Sequence, residues 1–354
     1  MRAGNEFGPG AHAVRAGMSR GRFLRLGGAG LAGAAFGGGL LSSCGSAGSA
    51  ENFPERPIEV IIAYAAGGGT DVGARILQPF VEEELGVELE IVNMPGGGGW
   101  AGWTQIANAN PDGYTVGFIN SPNFMTGYLD PRQGRDNIDL SSFQPLGNQV
   151  TDYGAIAINP DDDRFGDIDE LMEYAQDNEL TVTSTGVGSD DHFASLALGD
   201  RHGAQFEVIH NDGSSDSVAA LLGQNVDVVF ANVGELYTLH NDGEVNVVAV
   251  MKEGGERSEF LPNVPTLGEA GYPEVYSWSS RGLAGPADMD QQIVDKLAGA
   301  FRRGIQNEEH IAELANQGLQ VDYRNPQEHR EMLQQDQDRA EELGQRYIWG
   351  EGSA

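Results

Sequence analysis

The sequence predicts an α/β fold of two domains with a ligand cleft between them, on three observations. Short apolar runs alternate with amphipathic stretches from residue 56 onward. The alternation breaks near residue 120 and resumes at 152. Glycine- and hydroxyl-rich turns follow the apolar runs in both stretches. Such alternation predicts parallel strands with helices laid over them, and ligands of open α/β sheets sit at the carboxyl ends of the strands. Two such domains, facing each other, make a cleft that can close by hinge motion. The expected division is 51–150 plus 252–354 for one domain and 151–251 for the other.

In the first stretch, "IEVIIAY" (58–64) reads as a strand buried on both faces. Residues 71–85 place Val72, Ile76, Leu77, Phe80 and Val81 on one helix face, with Gly86 as C-cap. A strand at 87–93, a helix at 100–110 stopped by Pro111, and a strand at 114–120 follow. In the second, strands are expected at 152–160, 180–184, 206–210, 226–230 and 245–250. Helices are expected at 167–178, from about 190 and from about 215. Residues 252–350 add "GLAGP" and two helices, about 289–304 and 326–346, with Ile293, Leu297 and Phe301 marking a packing face.

Composition excludes several functions. Asp and Glu number 53 against 21 Lys and Arg, a net charge of −32, and only Lys252 and Lys296 are lysines. The acidic residues are spread over loops and helix faces rather than gathered in a tail. That is the skin of a folded protein adapted to high salt, and it argues against nucleic acid, whose phosphates need basic contacts. With Cys44 the single cysteine, no disulfide within the chain and no cysteine metal site is available. The seven histidines show no His-x-x-x-His or His-Glu-x-x-His spacing, so neither metal nor other cofactor is expected.

The N-terminal residues read as an address. Arg20, Arg22 and Arg25 precede a mildly apolar Leu26–Leu41 stretch, too short and weakly hydrophobic for a membrane span. It ends in "LSSC", which resembles a lipobox with Cys44 as the lipidated residue; "GSAGSAEN" then reads as a flexible tether. "SRGRFLR" resembles a twin-arginine export motif, with Gly21 where the second arginine belongs. The expectation is an exported protein, anchored through a lipid on Cys44.

Two glycine loops invite a nucleotide reading. "AAGGGTD" lacks the Lys-Ser/Thr of a P-loop. "PGGGGWAGW" carries a formal G-x-G-x-x-G, but the next strand closes on Ile119 and Asn120 rather than an acid. No G-x-S-x-G elbow supports hydrolysis. The turns "STGVGSDDH" (184–192), "HNDGSSDS" (210–217) and "FANVGE" (230–235) fit helix N-termini, which hold carboxylates or phosphates through backbone N–H groups. Ser189 is a plausible N-cap, and Thr70 is expected to cap a helix beginning at Asp71.

"PIEVIIAYAAGGGTDVGARIL", "VNMPGGGGWAG", "ANPDGYTVGF", "LPNVPTLGEAGYP" and "SWSSRGLAGP" together resemble the tripartite tricarboxylate transporter solute-binding proteins, the Bug or TctC-like family, from about Arg56 to the final helix. The resemblance implies a two-domain periplasmic-binding-protein fold, Venus-flytrap and type II-like. It implies capture of a small organic carboxylate for membrane transporter subunits, by a monomer without catalysis. Carried over by position, it gives Ala66, Gly67, Gly68, Gly69, Thr70 and Asp71 in the first loop, with Asn120 and Ser121 after the third strand. In the second domain it gives Ser184, Thr185, Gly186, Gly188, Ser189 and Asn232, and Arg281 fits a branch with Arg-Gly at that place.

Two departures bear on the ligand. Asn211-Asp212-Gly213 stands where the family often has Tyr-Lys-Gly, and Asp190 and Asp191 add negative charge beside a proposed anion turn. Both favour a mono- or dicarboxylate, or a ligand with an amine that Asp71 could meet, over a tricarboxylate. A binding module feeding a signalling receptor is the alternative expectation.

Overall fold

The computed structural model describes residues 50–135 and 137–350. Cys44 and the whole export segment lie outside the described residues. Ten strands and ten α-helices follow in order among the described residues: β1 (Ile58–Ile62), α1 (Gly69–Leu85), β2 (Leu89–Asn93), α2 (Trp100–Ala107), β3 (Thr115–Ser121), α3 (Asn123–Leu129), β4 (Phe143–Ile158), α4 (Ile168–Asp177), β5 (Leu180–Ser184), α5 (Asp190–His202), β6 (Phe206–His210), α6 (Ser214–Leu222), β7 (Val228–Asn232), α7 (Val233–Asn241), β8 (Asn246–Val250), β9 (Trp278–Pro286), α8 (Gln291–Ile305), α9 (Glu308–Ala315), β10 (Val321–Arg324) and α10 (Pro326–Tyr347).

The strands form two sheets that share one long strand. In the first lobe the order is β2-β1-β3-β9-β4, with β10 also on β4. In the second it is β4-β7-β5-β6, with β8 also on β4. The β1–β2, β1–β3, β5–β6 and β5–β7 pairs are parallel, as alternation predicts. β4 and β9 run antiparallel to their neighbours. Residues 143–153 of β4 pair with β9, and Gly154–Ile158 pair with β7 and β8. A strand expected at 152–160 thus begins at Phe143 and threads both sheets.

Both faces of each sheet are covered, which explains the unbroken apolar runs. Ile58, Val60 and Ile62 pack with Leu77 of α1 and Leu297 and Phe301 of α8. Ile61 and Ala63 point the other way, to Trp103 of α2 and Leu333 of α10. In the second lobe Ile156 and Ile158 face Leu171 and Leu198, while Ala155 and Ala157 face Leu221 and Leu236.

Three connections tie the lobes: β4, the return through 251–277, and α10. Gly154 sits where the first two cross. Its N–H donates to Ser277 O at 2.8 Å, and Met251 N–H donates to Gly154 O at 2.7 Å. A Cβ on Gly154 meets Met251 Cε and Ser277 Cβ at 2.7 Å, so only glycine allows this approach. Leu261, Val264, Leu267 and Val275 of the return segment pack into the second-lobe cores. α10 starts against the first lobe and reaches the second, where Arg346 pairs with Asp200 at 2.6 Å.

Candidate binding cleft between the lobes

The first-lobe wall is the N-terminus of α1. Gly68, not Thr70, is its N-cap, with φ −76° and ψ 165° and no side-chain cap. Thr70 lies inside the first turn, where its Oγ1 accepts from Asn120 Nδ2 at 2.9 Å. The two glycines serve close approach. A Cβ on Gly69 meets Arg281 Nη1 at 2.4 Å, and one on Gly68 meets Ser214 Oγ at 3.0 Å. Arg281 reaches this spot from β9. It is 2% exposed; its Nη2 donates to Glu235 at 3.1 Å and to Asn232 at 3.3 Å, and lies in an ion pair 3.1 Å from Asp152 Oδ2. Its Nε and Nη1 have no hydrogen-bond partner among the described residues.

The second-lobe wall comes from Thr185, Asp190, Ser214, Asn232 and Glu235. Asn232 Nδ2 donates to Asp190 Oδ2 at 3.0 Å. Glu235 closes a capping box at the start of α7 by accepting from Asn232 N–H at 3.0 Å. Tyr64 and Asn123 complete the first-lobe side, with Asn123 Nδ2 donating to Tyr64 Oη at 2.7 Å. The Oδ1 atoms of Asn120 and Asn123 are buried and unpartnered among the described residues. The cavity, partly open to solvent, is about 30 Å³, room for about one water molecule.

The lobes touch across this cavity. Gly69 N–H donates to Glu235 Oε1 at 3.3 Å, Asn123 Nδ2 to Thr185 Oγ1 at 3.3 Å, and Ala65 N–H to Asp212 O at 3.4 Å. Gly186, at φ +139°, is packed so that a Cβ falls 3.0 Å from Gly98 Cα, and one on Gly188 falls 2.6 Å from Thr126 Cβ. Gly186 and Gly188 are thus contact points between the lobes.

Other expected residues fall outside the cavity. Ala66 and Gly67 are exposed. Asp71 turns back into its own lobe, accepting from Gly67 N–H at 2.9 Å, Arg75 Nε at 3.0 Å and Asn93 Nδ2 at 3.0 Å. Burial works against its charge, but Arg75, the Gly67 N–H and Asn93 outweigh it and hold the carboxyl below its usual range. Asp71 therefore spends its carboxylate on its own lobe, with Arg75, Gly67 and Asn93 as partners. Ser121 Oγ donates to Asp336 at 2.5 Å beneath α10. Ser184 Oγ sits 2.7 Å from His210 Nδ1, and Ser189 caps α5 through His192 N–H at 3.3 Å. Of the expected set, Gly68, Gly69, Thr70, Asn120, Thr185, Asn232 and Arg281 meet at the cavity.

The residues named individually from the sequence leave out Tyr64, Asn123, Glu235 and Ser279 of the cavity lining and Asp152 beside it, whereas Ser214 falls in the 210–217 turn singled out above. Glu235 had a signal, since Asn232 followed three residues later by Glu is a capping-box pattern. Asp152 had none, because its place depends on β4 crossing between the sheets.

Acid outweighs base around Arg281. Burial raises the Asp152 carboxyl to about 7; Arg281 opposes this while Glu235 and Asp190 add to it. Burial likewise raises Asp190, and Asp191 further, each with an acidic neighbour adding to the effect. Among the described residues no group of three or more His, Cys, Asp and Glu is arranged to hold a metal.

Two α/β lobes on a shared strand, closing on a buried polar cavity, define a solute-binding protein of the periplasmic-binding type. The family model of the tripartite tricarboxylate transporter family receptor matches residues 73–347, and the chain belongs to that family. A protein in the gbd 5′ region of Cupriavidus necator is 31% identical over 88% of this chain and 93% of its own length. BugT of Bordetella pertussis is 27% identical over 76% and 82%. Among solved structures, the periplasmic binding protein BugD superposes with a TM-score of 0.77 at 27% identity, covering 83% of this chain and 98% of BugD. MatC of Rhodopseudomonas palustris, solved with bound malate, gives 0.76 at 25% identity over 82% and 99%. Family membership makes the protein a receptor of a tripartite tricarboxylate transporter, acting outside the cytoplasm.

Proposed function

We propose that the chain captures a small organic carboxylate between its lobes and delivers it to a tripartite tricarboxylate-type transporter. The observation that carries this reading is Arg281, a buried guanidinium with Nε and Nη1 unpartnered among the described residues, set against the first turn of α1. A guanidinium and helix N-terminal N–H groups are the donors that hold a carboxylate. The malate bound to MatC supports an organic acid. The proposed contacts are Gly68, Gly69, Thr70, Asn120, Thr185, Asn232 and Arg281, joined by Tyr64, Asn123 and Ser214.

The proposed lobes are 51–150 plus 278–354 and 151–277, with the 258–277 stretch placed in the second lobe by its packing. We further propose that a lipid on Cys44 anchors the protein outside the membrane, and that its charge of −32 fits it to high salt. Calorimetry with a panel of mono-, di- and tricarboxylates at high salt tests the binding reading. Absence of binding across the panel overturns it. Loss of lipid labelling in Cys44→Ala tests the anchor, and a melting temperature that does not rise with salt removes the halophilic reading.

A further inference from the structure

Glu235 holds two positions at once. Its Oε2 stays with its own helix, accepting from Asn232 N–H at 3.0 Å. Its Oε1 crosses to the first lobe, accepting from Gly69 N–H at 3.3 Å and Arg281 Nη2 at 3.1 Å. One N–H from a helix N-terminus and one from a guanidinium are the pair a ligand carboxylate needs. We infer that Glu235 is an internal carboxylate seated where the ligand's carboxylate binds, and that it sets specificity by admitting only acids able to displace it and then pair with it. This rests on the carboxylate reading given above and deepens it.

The chemistry of the successful ligand follows. Glu235 is tethered through Asn232, so once displaced it remains beside the entering group. Asp152 and Asp190 are fixed nearby, and Arg281 is the one cation among the residues around the cavity. A plain carboxylate adds negative charge beside Glu235 and beside Asp152 and Asp190, which burial already pushes toward the protonated form, so like-charge repulsion opposes it. An acid that also carries an ammonium brings its own compensation. The buried, unpartnered Oδ1 atoms of Asn120 and Asn123 need donors, and an ammonium supplies them. A hydroxyl supplies a donor but no charge. The structure thus assigns Glu235 as the residue that selects amino-substituted acids over their hydroxy and unsubstituted counterparts.

The test uses matched probes differing at one carbon: succinate, malate and aspartate, then propionate, lactate and alanine. Each is titrated calorimetrically into the folded protein at one pH and salt. The wild type is expected to bind the amino member of the better series at least about ten-fold tighter than its partners, a difference of roughly 1.4 kcal/mol. Glu235→Gln keeps the side-chain shape and its capping acceptor without the charge. It is expected to reduce that gap to under about three-fold, chiefly by tightening the plain acids. Glu235→Asp keeps the charge but is one methylene shorter. It should free the seat, tightening plain and amino acids together while the amino preference remains. Equal binding of plain and amino acids to the wild type overturns the inference and leaves the carboxylate reading standing. So does an unchanged gap in Glu235→Gln, with a melting curve showing the variant folded. Failure of every acid to bind overturns both.

Discussion

Gly69 in the first lobe and Gly188 in the second both follow a strand, precede or open a helix, and leave no room for a side chain. What a side chain would strike is different. At Gly69 it is the Arg281 guanidinium, 2.4 Å from a Cβ; at Gly188 it is Thr126 of the opposite lobe, at 2.6 Å. The first glycine makes room for a charged group in the cavity. The second makes room for the other lobe. Similar turns in sequence therefore face a buried guanidinium in one lobe and the opposite lobe in the other, and on the proposed reading the ligand's charge meets the α1 side.

The largest expected effect comes from removing the cation on which that contrast depends. Arg281→Gln should weaken carboxylate binding by roughly a hundred-fold, since a charge-assisted contact is replaced by a neutral one. It also leaves Asp152 and Glu235 buried without their partner, a loss of about 3–5 kcal/mol of stability by analogy with broken buried pairs. Calorimetry and denaturant melts read the two effects separately; unchanged affinity places the ligand elsewhere.

Alanine at the two glycines separates their roles. Gly69→Ala pushes Arg281 aside and should cost about ten-fold in affinity while the liganded protein still compacts. Gly188→Ala is strained by its φ of +79° and meets Thr126. It should keep the liganded protein expanded in small-angle scattering. If both variants compact equally on saturation with ligand, the division of labour between the loops is wrong.

The acid cluster gives a pH signature. Asp152, raised to about 7 by burial, binds its proton more tightly folded than unfolded. Its contribution to stability is full below its unfolded value near 4 and is lost as pH rises to about 7. Asp190 and Asp191 are raised as well and act in the same direction. The melting temperature should therefore climb as pH falls from 7.5 toward 5, and Asp152→Asn should flatten that slope. A wild-type slope of opposite sign defeats this account.

The smallest effect on binding is expected at Asp71. Asp71→Asn weakens the link to Arg75, about 1–2 kcal/mol of stability for a charge-assisted bond, yet should leave affinity within about three-fold. A larger loss of affinity returns Asp71 to the cleft.

Much of the fold was legible because it depends on local pattern. β5 and β6 fall at 180–184 and 206–210 as their apolar runs predict, and Gly86 ends α1 in the left-handed conformation its position implies. β4 and β9 were not legible in the same way. Their pairing joins residues more than a hundred positions apart, and no local period encodes it. The site divides likewise. Arg281, Gly69, Thr70, Asn120 and Asn232 could be named from motif and resemblance, whereas Asp152 and Asn123 could not. Asp71 shows the limit: a carboxylate at a helix start can turn outward to a ligand or inward to Arg75, and only the packed neighbours decide which.

The sequence alone determined the alternating α/β plan, the glycine turns and the acid-rich composition. Those features follow from side-chain period, backbone freedom and charge, which are properties of short stretches of chain. The tertiary structure decided the shared strand, the closure of one lobe on the other, and the seating of Glu235 on the donors of Gly69 and Arg281. These depend on distances between residues remote in sequence, and such distances are set only when the cores pack and bring both walls of the cleft together.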